Sequence, residues 1–254
     1  MANTAFPRAR SPRRLLLWSG GGLSAALLIL LGFALAAGFF NADPLYRYGP
    51  DRAGRGTAVV FFSGDMGMRF GMSSDVPPAL AAAGLPVFAY SSPTLFTHQH
   101  SLSQVNHMVA NAIAAAMTRT GAARVILVGQ SFGSDIVGSA LPALPPALRR
   151  HVAAIVLVVP GTSAYFRADP SEWRYHGAAD ANPAAGLRAI DWAPLICIYG
   201  VEETDSVCPL LAGSRARLFP LPGGHPLRHD PGRLIATIRR ALNDVDPGLL
   251  GGAA

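Results

Sequence analysis

From residue 57 onward, short apolar runs alternate with segments of helical period. Runs at 57–63, 86–90, 124–128, 153–159, 195–199 and 216–221 are rich in β-branched, leucine and aromatic residues and show little polar alternation. That is how strands buried on both faces read. Between them, Ser74 and Asp75 can cap a helix that has Pro77 and Pro78 in its first turn and stops near Gly84. A long helix is predicted over 101–118, with Val105, Met108, Val109 and Ile113 facing inward. Another follows residue 131, with Ile136, Val137, Ala140 and Leu141 apolar, and a last one covers 231–242. Strand and helix in alternation imply a mostly parallel sheet with helices on both faces. Residues 161–194 carry Trp173 and Trp192 but little periodicity, which predicts an excursion over the ends of the strands.

The chain before residue 57 reads differently. Arg8, Arg10, Arg13 and Arg14 precede an uncharged run over 15–40. As a helix, 26 residues reach about 39 Å, more than the roughly 30 Å of a bilayer core. Residues 1–44 are therefore expected to be a signal anchor that stays in the membrane; cleavage near Ala34-Leu35-Ala36 is the alternative. The basic end remains in the cytoplasm and the domain is exported to the periplasm, anchored in the inner membrane. Residues 45–56 are read as a linker and 57–246 as one domain.

The centre of that domain is Val125-Ile126-Leu127-Val128-Gly129-Gln130-Ser131-Phe132-Gly133. A strand enters G-x-S-x-G and a helix leaves it, the nucleophile elbow of an α/β-hydrolase, which is the fold class expected here. Such a site requires an acid and then a histidine later in the chain. His225, in Leu221-Pro222-Gly223-Gly224-His225, follows the last strand in a glycine turn and is the expected general base. The acid loop is Gly200-Val201-Glu202-Glu203-Thr204-Asp205-Ser206-Val207-Cys208-Pro209. Against a G-x-x-D-x-x-x-P pattern, counting from Gly200 selects Glu203 and counting back from Pro209 selects Asp205. Asp205, the shorter carboxylate, is the expected acid of a Ser131, Asp205, His225 triad. The oxyanion hole is expected from the backbone N–H of Phe132 and from the loop of Gly64 and Asp65. His176, on the excursion, is placed to touch substrate.

Two further features bear on function. With two cysteines in an exported chain, Cys197 and Cys208 are expected to form a disulfide across the acid loop. The net charge of +6 is split evenly, +3 before residue 45 and +3 after it, with no basic cluster interleaved with aromatics. Nucleic-acid binding thus finds no support, whereas an anionic membrane surface suits the basic N-terminus. No cofactor fingerprint or metal-ligand spacing is present.

Several stretches together resemble the bacterial VirJ/AcvB virulence-factor family: Phe61-Phe62-Ser63-Gly64-Asp65, Gly129 through Asp135, Ile198-Tyr199-Gly200 with Asp205-Ser206 and Cys208-Pro209, and Gly223-Gly224-His225. The resemblance spans residues 57–243. It implies a periplasmic α/β-hydrolase that removes the amino acid from aminoacylated phosphatidylglycerol, or a role beside type IV secretion components. The loop Ser63-Gly64-Asp65-Met66-Gly67-Met68 departs from the family's S-G-D-G-G-W, and a tandem histidine is reduced to His225-Pro226. For an ester whose acyl part carries an ammonium, Asp65, Asp135, Glu202 and Glu203 are the carboxylates expected to bind it.

Overall fold

The computed structural model describes residues 12–54, 56–169 and 173–250, with side chains from residue 24 onward save at position 174. Helix α1 (Pro12–Ala37) is followed by β1 (Leu45–Tyr48), β2 (Thr57–Phe62), α2 (Val76–Ala82), β3 (Val87–Tyr90), the short α3 (Ser92–Leu95) and the long α4 (Leu102–Thr120). The elbow joins β4 (Arg124–Gln130) to α5 (Phe132–Ala140). Then come α6 (Pro146–Arg149), β5 (Val152–Val158), α7 (Ala184–Arg188) within the excursion, β6 (Leu195–Gly200), β7 (Arg217–Leu221) and α8 (Pro231–Val245). The strands form one sheet in the order β1-β3-β2-β4-β5-β6-β7. Strands β2 to β7 are parallel, and β1 lies antiparallel on β3.

Alternate side chains of each strand feed two cores. Val60, Phe62, Leu127, Ile155 and Leu157 pack with Val105, Val109 and Ile113 of α4 and with Ile136 and Val137 of α5. Val59, Phe61, Ile126, Val128 and Val156 face the other way, against Leu80 of α2 and Leu234, Ile238 and Leu242 of α8. Helix ends follow local chemistry. Ser101 and Gln104 form a reciprocal capping box at the start of α4, and Gly121 ends that helix in the left-handed region. Asp230 accepts from Arg233 N to cap α8.

One expectation is corrected, and a second falls partly outside the described residues. Part of the presumed linker is sheet: Leu45, Tyr46, Arg47 and Tyr48 pair with Tyr90, Ala89, Phe88 and Val87. Leu45 leans on one core while Tyr46 and Tyr48 lean on the other. Four residues between Pro44 and Gly49-Pro50 are too few to show a period in sequence. The second concerns the anchor. Residues 1–11 lie outside the described residues, and the uncharged run makes up most of α1. Among the described residues no helix is long and apolar enough to cross a membrane.

Candidate active site

Ser131 stands between β4 and α5 at φ 51°, ψ −124°, a backbone that L-residues rarely adopt. The turn is tight because β4 and α5 nearly touch β2: a Cβ on Gly133 would overlap the carbonyl oxygens of Phe62 and Ser63. Three hydrogen bonds to Val158 clamp it. Ser131 N donates to Val158 O at 2.8 Å. Ser134 Oγ both donates to Val158 O and accepts from Val158 N, each at 2.9 Å.

The Ser131 hydroxyl lies 2.7 Å from His225 Nε2, and His225 Nδ1 lies 2.5 Å from Glu203 Oε1. With Nδ1–H donating to Glu203, Nε2 is free to accept from Ser131. The Glu203 side chain is 7% exposed, and its second oxygen, Oε2, is buried without a hydrogen-bond partner. Burial pulls the imidazolium down. The hydrogen bond to Glu203 and the charges of Glu203, Asp65 and Asp205 outweigh it, so His225 sits above the usual histidine value.

Asp205, the acid expected from the sequence, does not contact His225. Its Oδ1 accepts from Thr162 Oγ1 instead. The reason is local. The turn after β6 closes with Glu203 N donating to Gly200 O, which brings Glu203 under the histidine loop. The next residues are committed elsewhere: Ser206 bridges Gly161, Val207 N donates to Pro160 O, and Cys208 is joined to Cys197 by a disulfide. The count from Gly200 is therefore the one the geometry follows, and the two additional residues of the loop fall after the acid.

These side chains line a cavity of about 630 Å³. Asp65 is reached by the Tyr175 hydroxyl at 3.1 Å. Asp135, on α5, accepts from Gly161 N at 2.8 Å. Burial, moderated by that N–H and reinforced by the charges of Asp205, Asp65 and Glu203, pushes the Asp135 carboxyl well above the ordinary range. Glu202 is paired with Arg228 at 3.2 Å, on the surface. Gly64 lies beside Ser131 but its N–H is held by Ser73 Oγ at 3.1 Å. At the start of α5, Ser134 N and Asp135 N donate back to Ser131 O, while the N–H of Phe132, as at any helix N-terminus, has no carbonyl of its own helix to bond.

The sequence did not flag Tyr165, Tyr175 or His229, all of which line the cavity, whereas His176 is exposed and outside it. Tyr175 packs on Phe132 and Tyr165, its hydroxyl donating to Asp65; burial first and Asp65 next raise its pKa. The only signal for it was the aromatic density of an excursion without period. His229 ends a turn in which Leu227, Arg228 and His229 all have positive φ, and this turns it back toward the cavity.

A family profile described as bacterial virulence protein (VirJ) matches residues 56–245. The chain belongs to this family. No curated protein matched the sequence. Among solved structures, the VirJ-family chain is similar to a lipase-esterase related protein from Clostridium acetobutylicum, with TM-score 0.56, 14% identity, and coverage of 77% of this chain and 98% of that one. It is also similar to Est1E from Butyrivibrio proteoclasticus, with TM-score 0.54, 13% identity and coverage of 79% and 92%. A third likeness is to the thioesterase domain from the curacin biosynthetic pathway, with TM-score 0.56, 14% identity and coverage of 76% and 94%. At these identities the likeness is one of fold, and the fold is that of the α/β-hydrolases.

Proposed function

We infer that this VirJ-family chain is a serine hydrolase of carboxylic esters, and that its substrate is the aminoacyl ester of an aminoacylated phosphatidylglycerol. The observation that carries the reading is the continuous relay from the strained Ser131 through His225 to the buried Glu203. In this mechanism Ser131 Oγ attacks the ester carbonyl carbon while His225 Nε2 accepts its proton. Glu203 holds the Nδ1–H tautomer and stabilises the imidazolium. The tetrahedral oxyanion is received by the N–H of Phe132 and by an N–H of the loop after β2 that carries Asp65. His225 then protonates the departing lipid alkoxide, and water, deprotonated by the same imidazole, releases the amino acid from Ser131.

The acyl part of such a lipid carries an α-ammonium. Asp65, Asp205 and Glu203 act together on His225 and Asp135, which marks a cavity of negative potential suited to a cation. The disulfide suits an oxidising compartment, in keeping with an exported, periplasmic domain at the inner membrane. The reading is tested by comparing aminoacyl-phosphatidylglycerol with its N-acetylated form, which has the same ester and no charge. A charge-assisted contact of about 1.5–3 kcal/mol predicts a preference of roughly 10- to 100-fold in kcat/KM. Equal rates would remove the ammonium from the account. No turnover of either lipid, with brisk hydrolysis of soluble esters, would replace the lipid by another ester.

A further inference from the structure

Helix α1 does not end in free solvent. Its last turn is seated on the loop that forms the mouth of the cavity. Phe33 stacks on Phe70 with ring centroids 5.2 Å apart. Gly67 is pressed so closely on the Ala37 carbonyl that a side chain there would overlap it. Thr94 Oγ1 donates to Gly38 O at 2.7 Å. Phe70 and the exposed Met66, on this same loop, both line the cavity. The end of α1 and the mouth of the site are therefore one packed unit.

The preceding turns of α1 are the opposite. Every residue from 24 to 32 is exposed, and Leu27, Leu28, Ile29, Leu30 and Leu31 are 47–71% exposed. Successive helical residues are turned about 100° from each other, so five in a row look in every direction. A protein groove covers one stripe of a helix. A helix apolar all round is instead matched by a surrounding hydrocarbon phase.

We propose that the exposed turns of α1 sit in the acyl-chain layer of a lipid surface and that the Phe33–Phe70 contact fixes the cavity mouth at Met66 and Phe70 against that layer, so that the substrate reaches Ser131 from the lipid. The lipid contact stands on the helix alone; its consequence for substrate rests on the ester-hydrolase reading above. Phe33 and Phe70 are then positioning residues. They hold the mouth toward the lipid without touching the reacting atoms.

The test uses the full chain with phosphatidylglycerol-containing vesicles. A thiol-reactive fluorophore is placed at Met66→Cys and, as control, at Ala123→Cys, which is exposed just before the central strand β4, at the end of the sheet opposite Ser131. Vesicles with brominated acyl chains should quench the first and not the second. In parallel, Phe33→Ala should slow hydrolysis of a vesicle-borne ester by about 10-fold or more, while leaving hydrolysis of a water-soluble nitrophenyl ester unchanged. Equal quenching at the two positions, none at Met66→Cys, or concentration-dependent dimers without vesicle binding would overturn the proposal. So would an equal loss of both activities in Phe33→Ala. If the wild type cleaves neither ester, the hydrolase reading fails, and the quenching pattern still decides the lipid contact.

Discussion

Glu203 and His225 meet at 2.5 Å between Oε1 and Nδ1, although Asp205, two residues further along the same loop, is the carboxylate whose length seemed to suit that bond. If Glu203 orients the histidine, Glu203→Gln should lower kcat by roughly 10⁴, the cost of holding the wrong tautomer. Asp205→Asn keeps an acceptor for Thr162 and should cost less than about 10-fold, since at most a neutral-type hydrogen bond is exchanged. Steady-state rates of the two variants on one soluble ester rank them. The reverse order would return the acid to Asp205.

The pH dependence follows from the raised His225 value. The general base must be neutral, so kcat/KM should rise with pH through a midpoint above the ordinary histidine value of about 6.5. Glu203 stabilises the imidazolium, so removing its charge in Glu203→Gln should move that midpoint to lower pH even as the plateau falls. An acidic limb that does not move would mean Glu203 carries no charge beside the ring.

Asp135 offers a stability test with a definite sign. Its folded pKa is raised, so between the unfolded value near 3.9 and the folded one the native state holds the extra proton. Stability then declines as pH rises across that window. Asp135→Asn mimics the protonated acid and keeps an acceptor for Gly161 N. Relative to wild type, the variant should gain stability from pH 4 upward, with little difference below pH 4. Urea midpoints at several pH values measure it; a gap that shrinks with rising pH would contradict the assignment.

The disulfide closes a short loop, Cys197 and Cys208 being 11 apart in sequence, with Glu203 inside it. Replacing both cysteines by alanine should cost roughly 3 kcal/mol in the chain-entropy model. It should also lower kcat at temperatures where the protein remains folded, because the loop that presents Glu203 is freed. A change in stability with no change in kcat would confine the bridge to the scaffold.

The legibility of this chain tracks the range of the interactions involved. β4 and β5 and the helices α4 and α8 announce themselves through buried runs and period, because each makes its core from consecutive residues. Ser131 and His225 were legible because each is tied to a strand end and a glycine turn. The choice between Glu203 and Asp205 was not. It depends on Gly161, Pro160 and Thr162, some forty residues earlier, which draw Ser206, Val207 and Asp205 toward β5. Tyr175 was hidden for the same reason, since its partners Asp65 and Phe132 lie on distant segments and its own segment has no pattern. β1 escaped because four residues are too few to show a period, even though Leu45, Tyr46 and Tyr48 lean on the two cores.

The proposed hydrolase stands or falls with Ser131 as a nucleophile activated by His225. Purified full-length protein treated with a fluorophosphonate, digested and mapped by mass spectrometry tests it most directly. A single adduct is expected on the peptide bearing Ser131, absent from Ser131→Ala protein of unchanged circular dichroism and slowed in Glu203→Gln. Failure of the folded wild type to label, or equal labelling of Ser131→Ala, would contradict it.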